Sequence, residues 1–173
     1  MSKVGIFFGP LKGAVNRVAD KVKAALGDEA VMMPIKNAST ADLEKFDKII
    51  FGISTVGKDT WDSDFSSNDW GKFLPEISKV DFSGKTVAIF GLGDHITYST
   101  HFVDFVGLLG KELLNNNAKI VGQVSTDGYE FEASEAIIDG RFIGLPLDED
   151  FEPDLTDERL SNWLKIIKPE FGL

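Results

Sequence analysis

The sequence predicts an α/β fold in three layers, α/β/α, built on a doubly wound sheet of five parallel strands whose fifth strand is interrupted by an insertion. Three observations predict it. Apolar runs without polar alternation, such as Lys48-Ile49-Ile50-Phe51-Gly52-Ile53 and Thr86-Val87-Ala88-Ile89-Phe90, describe strands covered on both faces. Segments with apolar residues at helical spacing separate these runs, and strands alternating with helices imply a parallel sheet with right-handed crossovers. The chain has 173 residues, enough for one such domain with a full core and too few for two, so one domain over residues 1–173 is expected.

The first strand is Val4-Gly5-Ile6-Phe7-Phe8, which leaves through Gly9-Pro10-Leu11-Lys12-Gly13 into a helix with Ala14, Val15, Val18, Ala19, Val22 and Leu26 at helical spacing. A tight turn of this kind leaves amides unpaired at the helix N-terminus, where the macrodipole also favours negative charge, so it suits a phosphate. Only Gly9 and Gly13 are present, which excludes the dinucleotide GxGxxG, and no Lys-Ser or Lys-Thr follows Gly13, which excludes a Walker A loop.

Ala30-Val31-Met32-Met33-Pro34 is a short second strand, and residues 41–46 are a connecting segment. The third strand, Lys48 to Ile53, ends in Ser54-Thr55-Val56-Gly57. Residues 58–68, with Asp59, Asp62 and Asp64, read as an exposed acidic loop before a helix over 69–77 with Trp70, Phe73, Leu74 and Ile77 on one face. The fourth strand spans 85–90 and exits through Gly91-Leu92-Gly93-Asp94 to a helix over 100–114 carrying Phe102, Phe105, Val106, Leu109 and Leu113. A fifth strand begins at 119–124, and residues 140–145 look like a second piece of it. Residues 148–153 are an acidic linker in which Asp148 and Asp150 read as a solvated rim. A last helix covers 156–167, with Asp157 and Glu158 favouring its dipole and Pro169 ending it.

Composition narrows the function. Lys and Arg number 18 against 28 Asp and Glu, a net charge of −10, which repels nucleic acid and anionic lipid and favours basic protein partners. With no cysteine the chain has no disulfide, thiolate metal site or cysteine-ligated iron–sulfur cluster, so redox chemistry would need a bound organic cofactor. His95 and His101 are too isolated in sequence for a metal site and read as loop residues. The N-terminus lacks the apolar stretch of a signal peptide and no run reaches membrane-spanning length, so a cytoplasmic protein is expected. Ligands of doubly wound sheets sit beyond the carboxyl ends of the strands, which brings together the loops at 9–15, 54–64 and 91–101.

At these loops the sequence resembles the long-chain flavodoxins, small FMN-carrying electron carriers. The resemblance rests on Gly5-Ile6-Phe7-Phe8-Gly9 with Gly13, Asp81-Phe82-Ser83-Gly84-Lys85-Thr86-Val87, Phe90-Gly91-Leu92-Gly93-Asp94 with Tyr98, Ser125-Thr126-Asp127-Gly128-Tyr129, and Leu147-Asp148-Glu149-Asp150 with Leu155-Thr156-Asp157-Glu158-Arg159. It implies strand order 2-1-3-4-5, with residues 125–140 as the insertion of the long-chain group.

It further implies a non-enzymatic, low-potential, one-electron carrier with non-covalent FMN, monomeric, exchanging electrons with basic-faced reductases and acceptors. By the match, Pro10, Leu11, Lys12, Gly13, Ala14 and Val15 face the FMN phosphate. Thr55, Val56, Gly57 and Lys58 border the inner face of the isoalloxazine, with Gly57 free to flip its peptide near N5 and Trp61 able to cover the edge. Leu92, Gly93 and Asp94 line the pyrimidine edge, and Tyr98 stacks on the outer face. The phosphate loop departs from the family pattern, Gly-Thr-x-Thr-Gly-x-Thr, because Pro10, Lys12 and Val15 replace its three threonines. At ~1 kcal/mol for each lost hydrogen bond the deficit is ~3 kcal/mol, or ~100-fold in affinity. Lys12 answers it if its ammonium meets the phosphate. Otherwise it is solvated or pairs with a carboxylate, and the alternative function is an interaction or regulatory module with weak or lost FMN binding.

Overall fold

The computed structural model describes residues 3–54 and 69–173. Its sheet is parallel with order β2-β1-β3-β4-β5, built from β1 (Val4–Phe8), β2 (Ala30–Pro34), β3 (Lys48–Ser54), β4 (Thr86–Leu92) and β5 (Lys119–Ile120). The fifth position is shared. β5 pairs with Thr86 and Val87, whereas β8 (Leu145–Leu147) pairs with Phe90, Gly91 and Leu92 further along the same strand. Between them β6 (Ile137–Ile138) and β7 (Arg141–Phe142) form an antiparallel pair, and Val124 bridges Phe142. The fifth strand is therefore interrupted as expected, but the interruption opens at 121 and not 125: β5 stops at Ile120, and Val124 bridges Phe142 of the hairpin instead of continuing along β4. The resumed strand starts later than the expected 140, because residues 141–142 are used in the hairpin.

Helices cover both faces. α1 (Ala14–Leu26) and α5 (Thr156–Glu170) bury Val18, Val22, Leu160, Trp163 and Ile167 against one side, beside Ile6, Ile50 and Phe90. α3 (Asp69–Ile77) and α4 (Asp104–Asn115) bury Trp70, Phe73, Phe105 and Leu109 against the other, beside Phe7, Phe51 and Ile89. Each central strand thus has apolar contacts on both faces, which is why its sequence does not alternate.

Four expectations need correction. The connecting segment at 41–46 is a short helix, α2 (Thr40–Glu44), started by a capping box in which Asp42 Oδ2 accepts the Ser39 N–H at 2.9 Å and Ser39 Oγ accepts the Asp42 N–H at 3.4 Å. The fourth strand runs on through Leu92. The helix expected from 100 begins at Asp104: Val103 is left-handed at φ 48, and Phe102 donates its N–H to Ala133 of the insertion, so tertiary contacts hold this stretch in turns. Pro169 does not end the last helix, which continues to Glu170. Gly172, at φ 75, closes it, with Leu173 N–H reaching Lys168 O and Gly172 N–H reaching Pro169 O.

Candidate functional site

The carboxyl ends of β1 and β4 present two of the three expected loops; most of the third, residues 55–68, including Thr55, Val56, Gly57, Lys58 and Trp61, lies outside the described residues. The first loop turns sharply after Phe8. The Gly9–Pro10 peptide is cis and Lys12 is left-handed at φ 66, its N–H donating to Asn16 Oδ1 at 3.0 Å. Gly13 caps α1 without a side-chain hydrogen bond, and no acidic residue stands in the first turn. A Cβ built on Gly13 would meet no atom of the described residues within 4 Å. Lys12 is exposed, and among the described residues it has no carboxylate within ion-pair distance, so a carboxylate partner filling its place is not found there. Val15 is buried at 2% exposure in the packing of α1 on the sheet. A helix start without a side-chain cap, preceded by a lysine that has no carboxylate partner among the described residues, fits a phosphate.

The other described loop is built around Asp94. Its Oδ1 accepts the N–H groups of Ile96 and Thr97 at 2.9 and 2.8 Å, and its carbonyl accepts Tyr98 N–H at 3.2 Å. Gly93 N–H donates to Leu147 O at 2.9 Å, tying the loop to β8. Tyr98 is half-buried. Asp94 thus caps its own loop, with Gly93 tied to β8 and Tyr98 closing the turn through its N–H.

Asp148 is not part of a solvated rim. It is fully buried, and its carboxylate accepts His95 N–H at 3.1 Å, Asp150 N–H at 2.9 Å, Phe151 N–H at 2.8 Å and a contact from His95 Nδ1. Burial alone would raise its pKa, but the donors of Phe151, the His95 ring, His95 N–H and Asp150 outweigh it and hold the carboxyl below its ordinary range. Asp150 is pushed the other way, first by burial and then by Asp148, Asp94 and Glu149. Nor are the histidines plain loop residues. His95 is joined to Asp148, with Glu152 at 3.7 Å, and His101 Nδ1 lies 2.9 Å from the buried Asp104. Sequence reasoning missed the first pair because 53 residues separate its members. The acidic run at 148–150 looks like ordinary surface until β8 delivers Asp148 beside the loop.

The insertion is anchored to the same region. Arg159 donates to Glu152 at 3.1 Å and to Gly128 O at 2.9 Å, and its guanidinium carbon lies 4.1 Å from the Tyr129 ring centroid. Tyr129 OH donates to Pro146 O at 2.7 Å. Burial pushes this phenol up to about 12, against the opposing pull of Arg159. A pKa raised on folding gives stability that is complete below the ordinary value of about 10 and disappears as pH climbs to about 12. The difference between about 10 and about 12 corresponds to about 3 kcal/mol at most. The urea midpoint should therefore fall between about pH 10 and 12, and fall less in Tyr129→Phe; equal losses in both proteins would refute it.

The flavodoxin family model matches residues 6–163. The flavodoxin of Nostoc sp. is 38% identical over 172 residues, covering 99% of this chain and 98% of the relative. Flavodoxin 1 of Azotobacter vinelandii is 40% identical over 176 residues, covering 99% and 98%. Among solved structures, Fusobacterium nucleatum flavodoxin bound to flavin mononucleotide superposes with a TM-score of 0.87 at 30% identity, covering 98% of this chain and 99% of that one. Matched in sequence across its length and in its sheet order, the chain belongs to the flavodoxin family.

Proposed function

We propose that the chain is a low-potential one-electron carrier that holds FMN without a covalent bond and passes electrons between redox proteins; it is not an enzyme. The observation that carries this is the first loop, an uncapped helix start free of acidic residues with Lys12 beside it, in a chain otherwise strongly acidic. The amides of Gly13, Ala14 and Val15, with Lys12 Nζ, would hold the phosphate, supported on Pro10 and Leu11. Leu92, Gly93 and Asp94 would set the pyrimidine edge, Tyr98 the outer face, and Thr55, Val56, Gly57 and Lys58 the inner face. When bound, FMN supplies one-electron chemistry at a potential tuned by the surrounding protein.

The residues in turn exclude water from the ring and fix its orientation, and the acidic field disfavours added negative charge, which lowers the potential. The net charge of −10 favours basic-faced donors and acceptors, met in short, salt-sensitive encounters. A monomer working in the cytoplasm as a single domain is part of the same reading. No helix among the described residues is long and apolar enough to cross a membrane. No observation favours a flavin-free interaction module. Titrating the purified protein into FMN is expected to quench flavin fluorescence to a one-to-one endpoint and perturb its visible spectrum; unaltered fluorescence at saturating protein would end the reading.

A further inference from the structure

The antiparallel pair β6–β7 turns on Asp139 and Gly140, at φ 55 and 80, the two positive values that a tight two-residue hairpin turn demands. Ile138 and Arg141 flank that turn and stand directly opposite each other, so their side chains share one face of the pair. Together with Leu114 in the last turn of α4, Ile120 of β5 and Ile143, they wall a cavity of about 320 Å³, and Gln123 and Asp139 complete its lining. Small-molecule sites begin at about 300 Å³ and are mostly apolar with a few polar groups, and this cavity has that character. Its aliphatic walls include Ile120 and Ile143, both buried, and Leu114, which is 44% exposed.

The charges on the cavity lining set the class of ligand. Arg17 and Arg159 each meet a glutamate, at 4.0 and 3.1 Å, whereas Arg141 has no carboxylate within ion-pair distance among the described residues, in a chain of net charge −10. Its Nη2 donates to Gln123 O at 3.1 Å, which ties the guanidinium to the cavity wall. An arginine carries five N–H donors, so the fork keeps others for an anion. Asp139 likewise has neither an ion pair nor a side-chain hydrogen bond among the described residues, and it does not reach Arg141. One unpaired cation and one unpaired anion beside aliphatic walls complement a ligand that carries both charges on an apolar body. A simple carboxylic acid would meet Arg141 but set its charge against Asp139, and a simple amine would do the reverse.

We propose that this cavity binds an apolar α-amino acid, its carboxylate on Arg141, its ammonium on Asp139 and its side chain against Leu114, Ile120, Ile138 and Ile143. The site goes beyond the FMN-carrier reading and does not depend on it. Ile120 pairs with Val87 near the start of β4, whereas the loop assigned to the cofactor follows Leu92 at the other end of that strand. No bond forms or breaks on binding.

The test titrates the full chain, with and without FMN, with L-phenylalanine and follows the methyl NMR signals of Ile120, Ile138 and Ile143. Saturable shifts at these methyls are expected. L-phenylalaninamide, which lacks the carboxylate, and 3-phenylpropionate, which lacks the ammonium, should each bind about tenfold more weakly. Arg141→Gln should weaken phenylalanine about tenfold and leave the amide unchanged. Asp139→Asn, which suits the left-handed turn position, should weaken phenylalanine by a similar factor and bind 3-phenylpropionate no more weakly than the wild type does. Matching each deletion on the ligand with one on the protein separates a direct contact from a damaged hairpin, which would weaken all three ligands alike. Equal losses for all three, shifts confined to other residues, or no saturable shift overturn the proposal and leave the carrier reading untouched. Saturable shifts here in a chain that binds no FMN would uphold the site and end the carrier reading.

Discussion

Gly107→Val should lower the stability of the chain by about 4 kcal/mol, lowering Tm by roughly 10 °C. Gly107 sits in α4 where the insertion crosses it. A Cβ there would lie 2.1 Å from Glu135 O, 2.4 Å from Glu135 C and 2.7 Å from Ala136 N, all backbone atoms that cannot rotate away. The insertion would have to lift. Doing so strains or breaks the bond from Glu135 N–H to the buried Asp104, 2.8 Å long, and that from Ile143 N–H to Ala136 O, 2.9 Å long. Overpacking of this kind costs about 1–3 kcal/mol, and leaving a buried carboxylate short of a donor costs about as much again. Urea unfolding followed by circular dichroism reads the loss. An unchanged midpoint would mean that residues 133–136 do not need their seat on α4.

That seat shows what the sequence carries and what it does not. The five strand positions were legible because covering both faces of a parallel sheet demands unbroken apolar runs, and β1, β3 and β4 are such runs. Helix starts were less so. Asp104 looks like an ordinary polar residue four positions into a helical pattern; only the insertion's demand for an acceptor makes it the first residue of α4. The capping box of α2 was readable in principle, as Ser39 and Asp42 at the required spacing, but the helix is too short to show periodicity. The loops at 9–15 and 91–101 were located by where the strands end, since ligands of such sheets sit beyond the carboxyl ends, and the roles of their residues came only from the resemblance. The His95–Asp148 pair had neither periodicity nor proximity to reveal it. Its acidic member sits in a run that composition alone assigns to solvent, and its burial follows from β8 pairing with Phe90, Gly91 and Leu92.

Replacing Lys12 should have the largest effect on the cofactor. Lys12→Met keeps the length of the side chain and the backbone demand at φ 66 while deleting the ammonium, so a change reports charge rather than loop shape. A hydrogen bond to a charged group contributes about 1.5–3 kcal/mol, which predicts an FMN dissociation constant raised about 10- to 100-fold. Riboflavin, which lacks the phosphate, should bind within about threefold of its wild-type affinity. Equal losses for both ligands would place Lys12 away from the phosphate.

The triple change Pro10→Thr, Lys12→Thr and Val15→Thr then separates a rebuilt phosphate site from a decayed one. Three hydroxyls at ~1 kcal/mol each would raise affinity ~100-fold if nothing had replaced them. The expected result is little change or a fall, for two reasons. The triple variant removes the ammonium that we propose takes their role, and position 15 is buried in the α1 packing, where a hydroxyl meets apolar neighbours. A gain approaching the full ~100-fold would show instead that Lys12 stands outside the phosphate site and that the loop had lost its grip on FMN.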